Sequence, residues 1–276
     1  MNKIQIAVGL VLYNNSYEEV NRFQKSFESA ARVIEEKFIV DLVVVDNSSG
    51  SISKHLRLEP YVKILRTGIN TGYTEAMALI QNHVFNQCHY RILISANPDG
   101  AFHYKCLDEL LKLWHRNPDS IIEAIQFPEE HPKKYNKKTF ETEWASGCCL
   151  LIPKHVFMAI GPLDTNFFMY MEDVDYSWRA RQNGFKVLVC PNALYGHYVM
   201  NRTYSEFVDR QMLLSAYYLG LKWKNNKFVQ RVKAILGERF GYLEADFPLY
   251  NFPEHFPMQV PFTNFEKDFS FSDVRW

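Results

Sequence analysis

An α/β fold with a mostly parallel central sheet, flanked by helices and followed by a C-terminal helical extension, is what the 276-residue sequence predicts. Three observations carry that expectation. Apolar runs of strand length alternate with stretches of helical periodicity up to about residue 200. Clusters of Asn, Asp, Ser and Gly stand directly after several of the apolar runs. Beyond residue 200 the alternation gives way to helical spacing alone, and a chain that is 47% hydrophobic and 15% aromatic can fill a large core.

Residues 4 to 13 form the first apolar run, and Ser16 with Glu19 makes a capping box ahead of Val20, Phe23, Phe27, Ala31 and Ile34 at helical spacing. "FIVDLVVVDNSSG", "YVKILRT" and "YRILISANPDG" read as three further buried strands, with a helical pattern over residues 73 to 87 before the last of them. A helix over 104 to 116 and the strand "SIIEAIQF" continue the alternation. "PEEHPKKYNKKTFETE" then interrupts it with charge and proline, and reads as a surface loop. "GCCLLIP" is another strand, "FFMYMEDVDYSWRARQNG" leads into a helix that Asn183-Gly184 ends in a left-handed cap, and "FKVLVCP" is the next strand. Residues 204 to 240 read as one or two amphipathic helices, and the tail from Asp246 is rich in Phe and Pro without clear periodicity.

Formal net charge is +0, so nothing favours a general attraction to nucleic acid, and none is expected as a partner. The opening apolar segment is too short to span a bilayer and reads as a strand; no other run reaches transmembrane length. Five cysteines, odd in number and without C-x-x-C spacing, argue against a disulfide framework or a zinc site, which fits a cytoplasmic protein. The adjacent Cys148 and Cys149 read as part of a strand through the core.

In parallel α/β sheets ligands bind beyond the carboxyl ends of the strands. The residues there are Tyr13-Asn14, Asp46-Asn47-Ser48-Ser49 and Asn97-Pro98-Asp99-Gly100. Each cluster alone is equally a turn. Together, with a helix beginning near Gly72, they suit a nucleotide with its diphosphate and a divalent metal, which takes oxygen ligands and keeps part of its water.

The segment 167 to 184 poses the sharper question, because Glu172, Asp173 and Asp175 follow a run of large apolar side chains. An unpaired carboxylate in such surroundings costs several kcal/mol, roughly. If residues 172 to 182 are helical, Met171, Val174 and Trp178 share a stripe facing the core, and Glu172, Tyr176 and Arg179 take the next face. Asp173 lies off both, in the first turn, where the helix dipole favours a carboxylate. Two readings are open on these grounds: a catalytic acid pair, or simple capping with Asp175 paired to Arg179 at i, i+4.

"VGLVLYN", "VVVDNSS", "NTGYTEAMA", "ISANPDG" and the long block from "ASGCCLLIP" through "FFMYMEDVDYSWR" to "LYGH" resemble, in order, the signature of inverting family 2 glycosyltransferases of GT-A fold, nearest their bacterial rhamnosyltransferase-like branch. The resemblance runs over residues 4 to 200 and implies a Rossmann-like catalytic domain over 1–200. Its first half, 1–100, would hold the nucleotide sugar and its second, 101–200, the acceptor and catalytic groups, with an extension over 201–276. By resemblance Asp173 of the Glu172-Asp173 pair is the catalytic base, and Asp46 recognises the pyrimidine. Tyr13 and Asn14 lie along the nucleoside, Asn70 and Gly72 form the N-x-G turn near the donor, and Asn97-Pro98-Asp99 takes the place of the D-x-D motif. Asp99 then contacts the diphosphate and a divalent metal (Mg²⁺ or Mn²⁺), which His197 completes. Asn97 departs from the pattern, since an amide is a weaker ligand for a hard cation than a carboxylate.

The implied function is transfer of rhamnose from dTDP-rhamnose, or of a UDP-linked sugar, to a saccharide or lipid-linked acceptor in surface polysaccharide synthesis. The alternative is a sugar-nucleotide-binding component without turnover, for which a base aimed at an acceptor has no use. A nucleotidyltransferase would need a glycine-rich, basic phosphate loop that the first strand lacks. For the extension, Leu213, Leu214, Tyr217, Tyr218 and Leu221 form a broad apolar face beside Lys222, Trp223, Lys224 and Lys227. It either packs on the catalytic domain or a second copy in a homodimer, or rests peripherally on the inner membrane surface with its lysines on anionic head groups.

Overall fold

In chain order the elements are β1 (Ile4–Leu12), α1 (Tyr17–Ile34), β2 (Phe38–Asp46), β3 (Val62–Arg66), α2 (Tyr73–Asn82), β4 (Ile92–Ala96), β5 (Gly100–Phe102), α3 (Cys106–Arg116), β6 (Ser120–Phe127), β7 (Cys149–Pro153), α4 (Lys154–Ile160), α5 (Glu172–Gln182), β8 (Lys186–His197), α6 (Glu206–Lys222) and α7 (Asn226–Phe240). The structure is a computed structural model and describes residues 3–88, 90–128, 133–198, 204–250 and 252. Most of the Phe- and Pro-rich tail, and the first residues of the expected extension, lie outside the described residues.

The strands form one eight-stranded sheet in the order β3-β2-β1-β4-β7-β6-β8-β5. Its first four strands are parallel, as their uninterrupted apolar runs require when both faces are covered. On one face Ile6, Val8, Leu10 and Leu12 pack with Phe23 and Phe27 of α1 and Leu107 and Leu110 of α3. On the other, Ala7 and Val11 pack with Met77 and Ile80 of α2 and Tyr176 of α5. The two-residue alternation of β1 thus serves two helical layers. The expected capping box starts α1: Ser16 Oγ accepts the Glu19 N–H at 3.2 Å while Glu19 Oε2 accepts the Ser16 N–H at 2.8 Å. Cys106, Cys148, Cys149 and Cys190 are all buried, in keeping with the core role expected of the adjacent pair.

The second half of the sheet is mixed. β7 runs antiparallel to both β4 and β6, and β5 runs antiparallel to β8. This brings the start of β7 to the same edge as the ends of the parallel strands, with Leu12 opposite Asp46, Ala96 opposite Cys149, Phe127 opposite Gly196 and Gly100 opposite His197. Every candidate site residue except Glu172 and Asp173 of α5 sits at that edge or in a loop leaving it.

Two features differ from the sequence expectation, and a third decides between readings it left open. β5 and α4 are extra elements, three and seven residues long. The charged loop after β6 is not wholly on the surface, because Lys133 is tucked inward with its side chain 8% exposed. The extension is two helices, and α6 and α7 build a third apolar cluster with Phe167, Met171, Val174 and Trp178. Lys222 and Trp223, expected among the membrane-facing groups, are 1% and 5% exposed inside that cluster. Burial of the apolar face against α5, not contact with lipid, is therefore what these two residues serve.

Candidate active site

The first end of the site is built on the turn after β2. Asp46 is 1% exposed, and both its carboxylate oxygens are engaged. Oδ1 accepts the Ser48 hydroxyl at 2.5 Å and Oδ2 the Ser53 N–H at 2.9 Å. Burial alone would raise its pKa, but these hydrogen bonds hold it below the usual carboxylate value. Asp46 in this geometry organises its own turn. Its neighbour Asn47, also 1% exposed, ties that turn to the N-x-G turn. Asn47 Nδ2 donates to Asn70 Oδ1 and to the Gly72 carbonyl, and its Oδ1 accepts from the backbone and hydroxyl of Thr71. Asn70 Oδ1 also accepts the Gly72 N–H at 3.0 Å.

Gly72 has φ +85°, and a Cβ there would stand 2.4 Å from the Phe168 carbonyl oxygen. Only glycine permits this approach. It presses the N-x-G turn against the loop that carries the acids, so the two segments meet at Gly72 and Phe168. Tyr13 and Asn14 are exposed at the end of β1, with Asn14 at φ +55°.

The second end is the turn after β4. Asn97 and Asp99 are partly exposed, and the Asn97 N–H donates to the Cys148 carbonyl at 3.0 Å. Tyr195 Oη donates to the Asn97 carbonyl at 2.5 Å, its ring lying so close over Gly100 that a Cβ there would be 2.2 Å away. The β5–β8 pairing then sets His197 beside Asp99, with Nε2 3.4 Å from Asp99 Oδ1. Gln126 orients the imidazole. Its amide nitrogen donates to Ser146 Oγ at 3.0 Å, so its Oε1, 2.9 Å from His197 Nδ1, accepts that N–H and turns Nε2 toward the carboxylate. A carboxylate and an imidazole nitrogen so placed suit a divalent cation. Among the described residues no group of three or more His, Cys, Asp or Glu side chains stands close enough to hold one alone.

The third end is the N-terminus of α5. Tyr170 and Met171 both have φ +67°, a left-handed region that costs non-glycine residues roughly 1–3 kcal/mol each. The reversal delivers Glu172 and Asp173 into the first helical turn. Asp173 Oδ2 accepts the Gly147 N–H at 2.9 Å, from the start of β7, and Oδ1 accepts the Val174 N–H at 2.8 Å. Burial raises the Asp173 pKa, and the two backbone hydrogen bonds only partly oppose it. Glu172 is 6% exposed, and among the described residues its Oε2 has no hydrogen-bond partner. Burial, then the Asp173 charge, push its pKa well above the ordinary range.

Asp175 is different. Its carboxylate is 0% exposed and fully paired, with Arg179 Nε at 2.9 Å, Lys222 Nζ at 2.7 Å and Trp223 Nε1 at 3.1 Å. The three acids thus differ in their surroundings: Asp175 pairs with Arg179 at i, i+4, as one of the two sequence readings had it, while the pair before it is buried without a cation on either carboxylate among the ion pairs described.

Several residues at the acid end were not singled out in the sequence, although Tyr73 and Gly147 lie within its quoted motifs. A Cβ on Gly147 would lie 3.8 Å from both Asp173 Oδ2 and Tyr73 Oη, so the Tyr73 phenol shares the acids' pocket. Burial and the charges of Glu172 and Asp173 raise its pKa far above the usual value. Glu123, buried and ion-paired with Lys133, accepts the Ser146 N–H at 2.5 Å and so supports the Ser146-Gly147 segment. Lys133 also lowers the pKa of Asp173 against the burial effect.

No family model matches the chain. Among sequence relatives it is 24% identical over 211 residues to the low-salt glycan biosynthesis hexosyltransferase Agl10 of Haloferax volcanii, which covers 68% of this chain and 66% of the relative. It is 27% identical over 213 residues to the N-acetylglucosaminyl-diphospho-decaprenol L-rhamnosyltransferase of Mycobacterium tuberculosis, covering 59% of this chain and 68% of the relative. Among solved structures it is similar to the mannosyltransferase PcManGT of Pyrobaculum calidifontis in complex with GDP-mannose and Mn²⁺, with a TM-score of 0.61 and 14% identity over 88% of this chain and 78% of that one. The chain thus spans about two thirds of the length of the Haloferax relative. It has the GT-A fold, its relatives are glycosyltransferases, and it fits the family 2 rhamnosyltransferase-like resemblance of its motifs.

Proposed function

We propose that the chain transfers a sugar from a nucleotide diphosphate donor to an acceptor hydroxyl with inversion at the anomeric carbon, and that Asp173 is the base. The observation that carries this reading is the state of the acid pair: two adjacent carboxyls at a helix N-terminus, both with raised pKa, on the edge that also bears Asp99 and His197. Burial and the Asp173 charge raise the Glu172 carboxyl, while Gly147, Val174 and Lys133 oppose the rise at Asp173, so the shared proton is favoured on Glu172 and the negative charge on Asp173. Gly147 holds that carboxylate by one oxygen. As the acceptor oxygen attacks the anomeric carbon, Asp173 takes its proton, and the bond to the diphosphate breaks with its electrons on the leaving oxygen.

Asp99 and His197 would hold a divalent metal, Mg²⁺ or Mn²⁺, sharing it with phosphate oxygens and water. Bound there, the metal supplies charge stabilisation for the departing diphosphate. Tyr13, Asn14, Asn47 and the Asn70–Gly72 turn line the nucleoside end, with the Asp46 carboxylate fixing the turn that follows β2. The Mycobacterium relative is named for transfer of rhamnose to a lipid-linked acceptor, which supports dTDP-rhamnose as first donor candidate, UDP-linked hexoses as second, and a lipid-linked saccharide as acceptor. Among the described residues no helix is long and apolar enough to cross a membrane.

Thermal unfolding against a panel of nucleotide sugars, with and without Mn²⁺, tests the reading. A donor at roughly 100 times its dissociation constant stabilises by about 2.7 kcal/mol. The expected result is a shift with dTDP-rhamnose that grows with Mn²⁺; no shift with any nucleotide sugar would refute it.

A further inference from the structure

Residues 164–175 deliver the acid pair through the reversed backbone of Tyr170 and Met171, and α6 grips this segment at its beginning, middle and end. Lys222, the last residue of α6, is 1% exposed and places Nζ 2.6 Å from Asp164 Oδ2 and 2.7 Å from Asp175 Oδ1. Tyr218 Oη donates to the same Asp164 oxygen at 2.7 Å, and Trp223 Nε1 to the same Asp175 oxygen at 3.1 Å. Between them, Ser215 Oγ donates to the Met169 carbonyl at 2.7 Å. From the opposite side Arg179 binds Asp175 Oδ2 at 2.9 Å and the carbonyls of Ile160 and Pro162 at 2.6 and 2.9 Å.

We propose that α6 is a clamp on the acid loop and that Lys222 is a positioning residue for Asp173, an inference that rests on the reading of Asp173 as base. Two carboxylates meet two cations, Lys222 and Arg179, so the network is balanced in charge although it lies among Phe167, Trp178 and Tyr218. A buried ion pair is weak evidence of stabilisation, since apolar side chains fill such space at least as well. What the charges add is direction. Asp175 has its two oxygens drawn to partners on opposite sides, and its N–H closes the first turn of α5 on the Met171 carbonyl at 3.0 Å. Rotation of that turn would carry Asp173 away from the Gly147 N–H, its one tie to β7 among the hydrogen bonds described. Lys222 thus fixes the angle at which the base meets the edge of the sheet.

Two variants of the full chain test this, Lys222→Met and the milder Ser215→Ala, read by amide hydrogen exchange and by release of dTDP from dTDP-rhamnose. Exchange of residues 165–175 should speed up by about 10-fold in Lys222→Met and less in Ser215→Ala, while β1 and β2 exchange as in wild type. Turnover should fall by about 10- to 100-fold in Lys222→Met with KM for the donor unchanged, because misplacement of a catalytic group acts on kcat. Exchange that rises equally throughout the sheet, or stays unchanged at 165–175, overturns the clamp. Unchanged kcat in an active enzyme overturns the positioning role while leaving the base reading intact. A wild type that turns over no nucleotide sugar removes the base reading, and Lys222's positioning role with it.

Discussion

Two acidic sites stand on the same edge of the sheet, and the protein treats them in opposite ways. At the turn after β2, Asp46 has a partner for each oxygen and a pKa held below the usual carboxylate value. At the start of α5, Glu172 and Asp173 have raised pKa values, and Glu172 keeps a buried oxygen with no hydrogen-bond partner among the described residues. Hydrogen bonding to a charged form stabilises it, and burial beside a like charge does the reverse. A satisfied acid maintains a backbone shape. A pair raised by burial, with one Glu172 oxygen unpartnered among the described residues, is on the proposed reading poised to exchange a proton. On the proposed reading the contrast separates scaffold from chemistry along one sheet edge, although both sites read as an acid in a conspicuous motif.

Substitution at the acid end should have the largest effect. Asp173→Asn keeps the shape of the side chain and removes the base, so turnover should fall by roughly 10²–10⁴-fold with donor affinity almost unchanged. Activity above about a tenth of wild type would break the contrast. Asp99→Ala comes next and should raise the Mn²⁺ concentration needed for half-maximal activity by about 10-fold or more, with His197→Ala smaller. Superimposable metal titrations for His197→Ala and wild type would remove that residue from the site.

A smaller effect is expected from pH. A base must be deprotonated to work, so a raised Asp173 pKa means kcat is lost, as pH falls, at values above the ordinary aspartate range near 3.9. Because the Lys133 charge lowers that pKa, Lys133→Gln should move the acid limb of the profile upward; a downward move would show that Lys133 acts otherwise. Asp46→Ala should affect chemistry least. It should cost about 1–3 kcal/mol of stability, seen in denaturant unfolding. The Asp46 carboxyl is depressed in the folded state, so its contribution is present above the unfolded value and is lost as pH drops through the folded one. If Asp46→Ala instead weakened dTDP binding with stability unchanged, the carboxylate would be a direct contact to the base, as the sequence resemblance implies.

Much of this was legible in the sequence because it is local. The capping box of Ser16 and Glu19, the helix following the N-x-G turn, and the first-turn place of Asp173 depend on neighbours a few positions away. What stayed hidden depends on distant partners. Lys222 read with Lys224 and Lys227 as a cation for anionic head groups beside a packing face, because Asp164 lies 58 residues earlier. Lys133 sits in a run of lysines, and only the fold brings Glu123 and Trp144 to it. β5 is three residues long and owes its existence to pairing with β8, while α4 is a seven-residue helix without a side-chain cap. Gln126 had no motif to mark it, and Gly147, though inside the block that begins at Ala145, was not singled out there, since each acts by presenting one backbone or amide group to a residue already noticed.

The central claim, that a single ionised carboxylate at the start of α5 drives direct displacement at the sugar, is tested most directly by the configuration of the product. With dTDP-rhamnose or the donor chosen by thermal shift, and an acceptor saccharide, the first-formed glycoside can be followed by NMR through its anomeric proton and carbon. Asp173 acting as base in one displacement predicts an anomeric configuration opposite to that of the donor. Retention of the donor's configuration would contradict it.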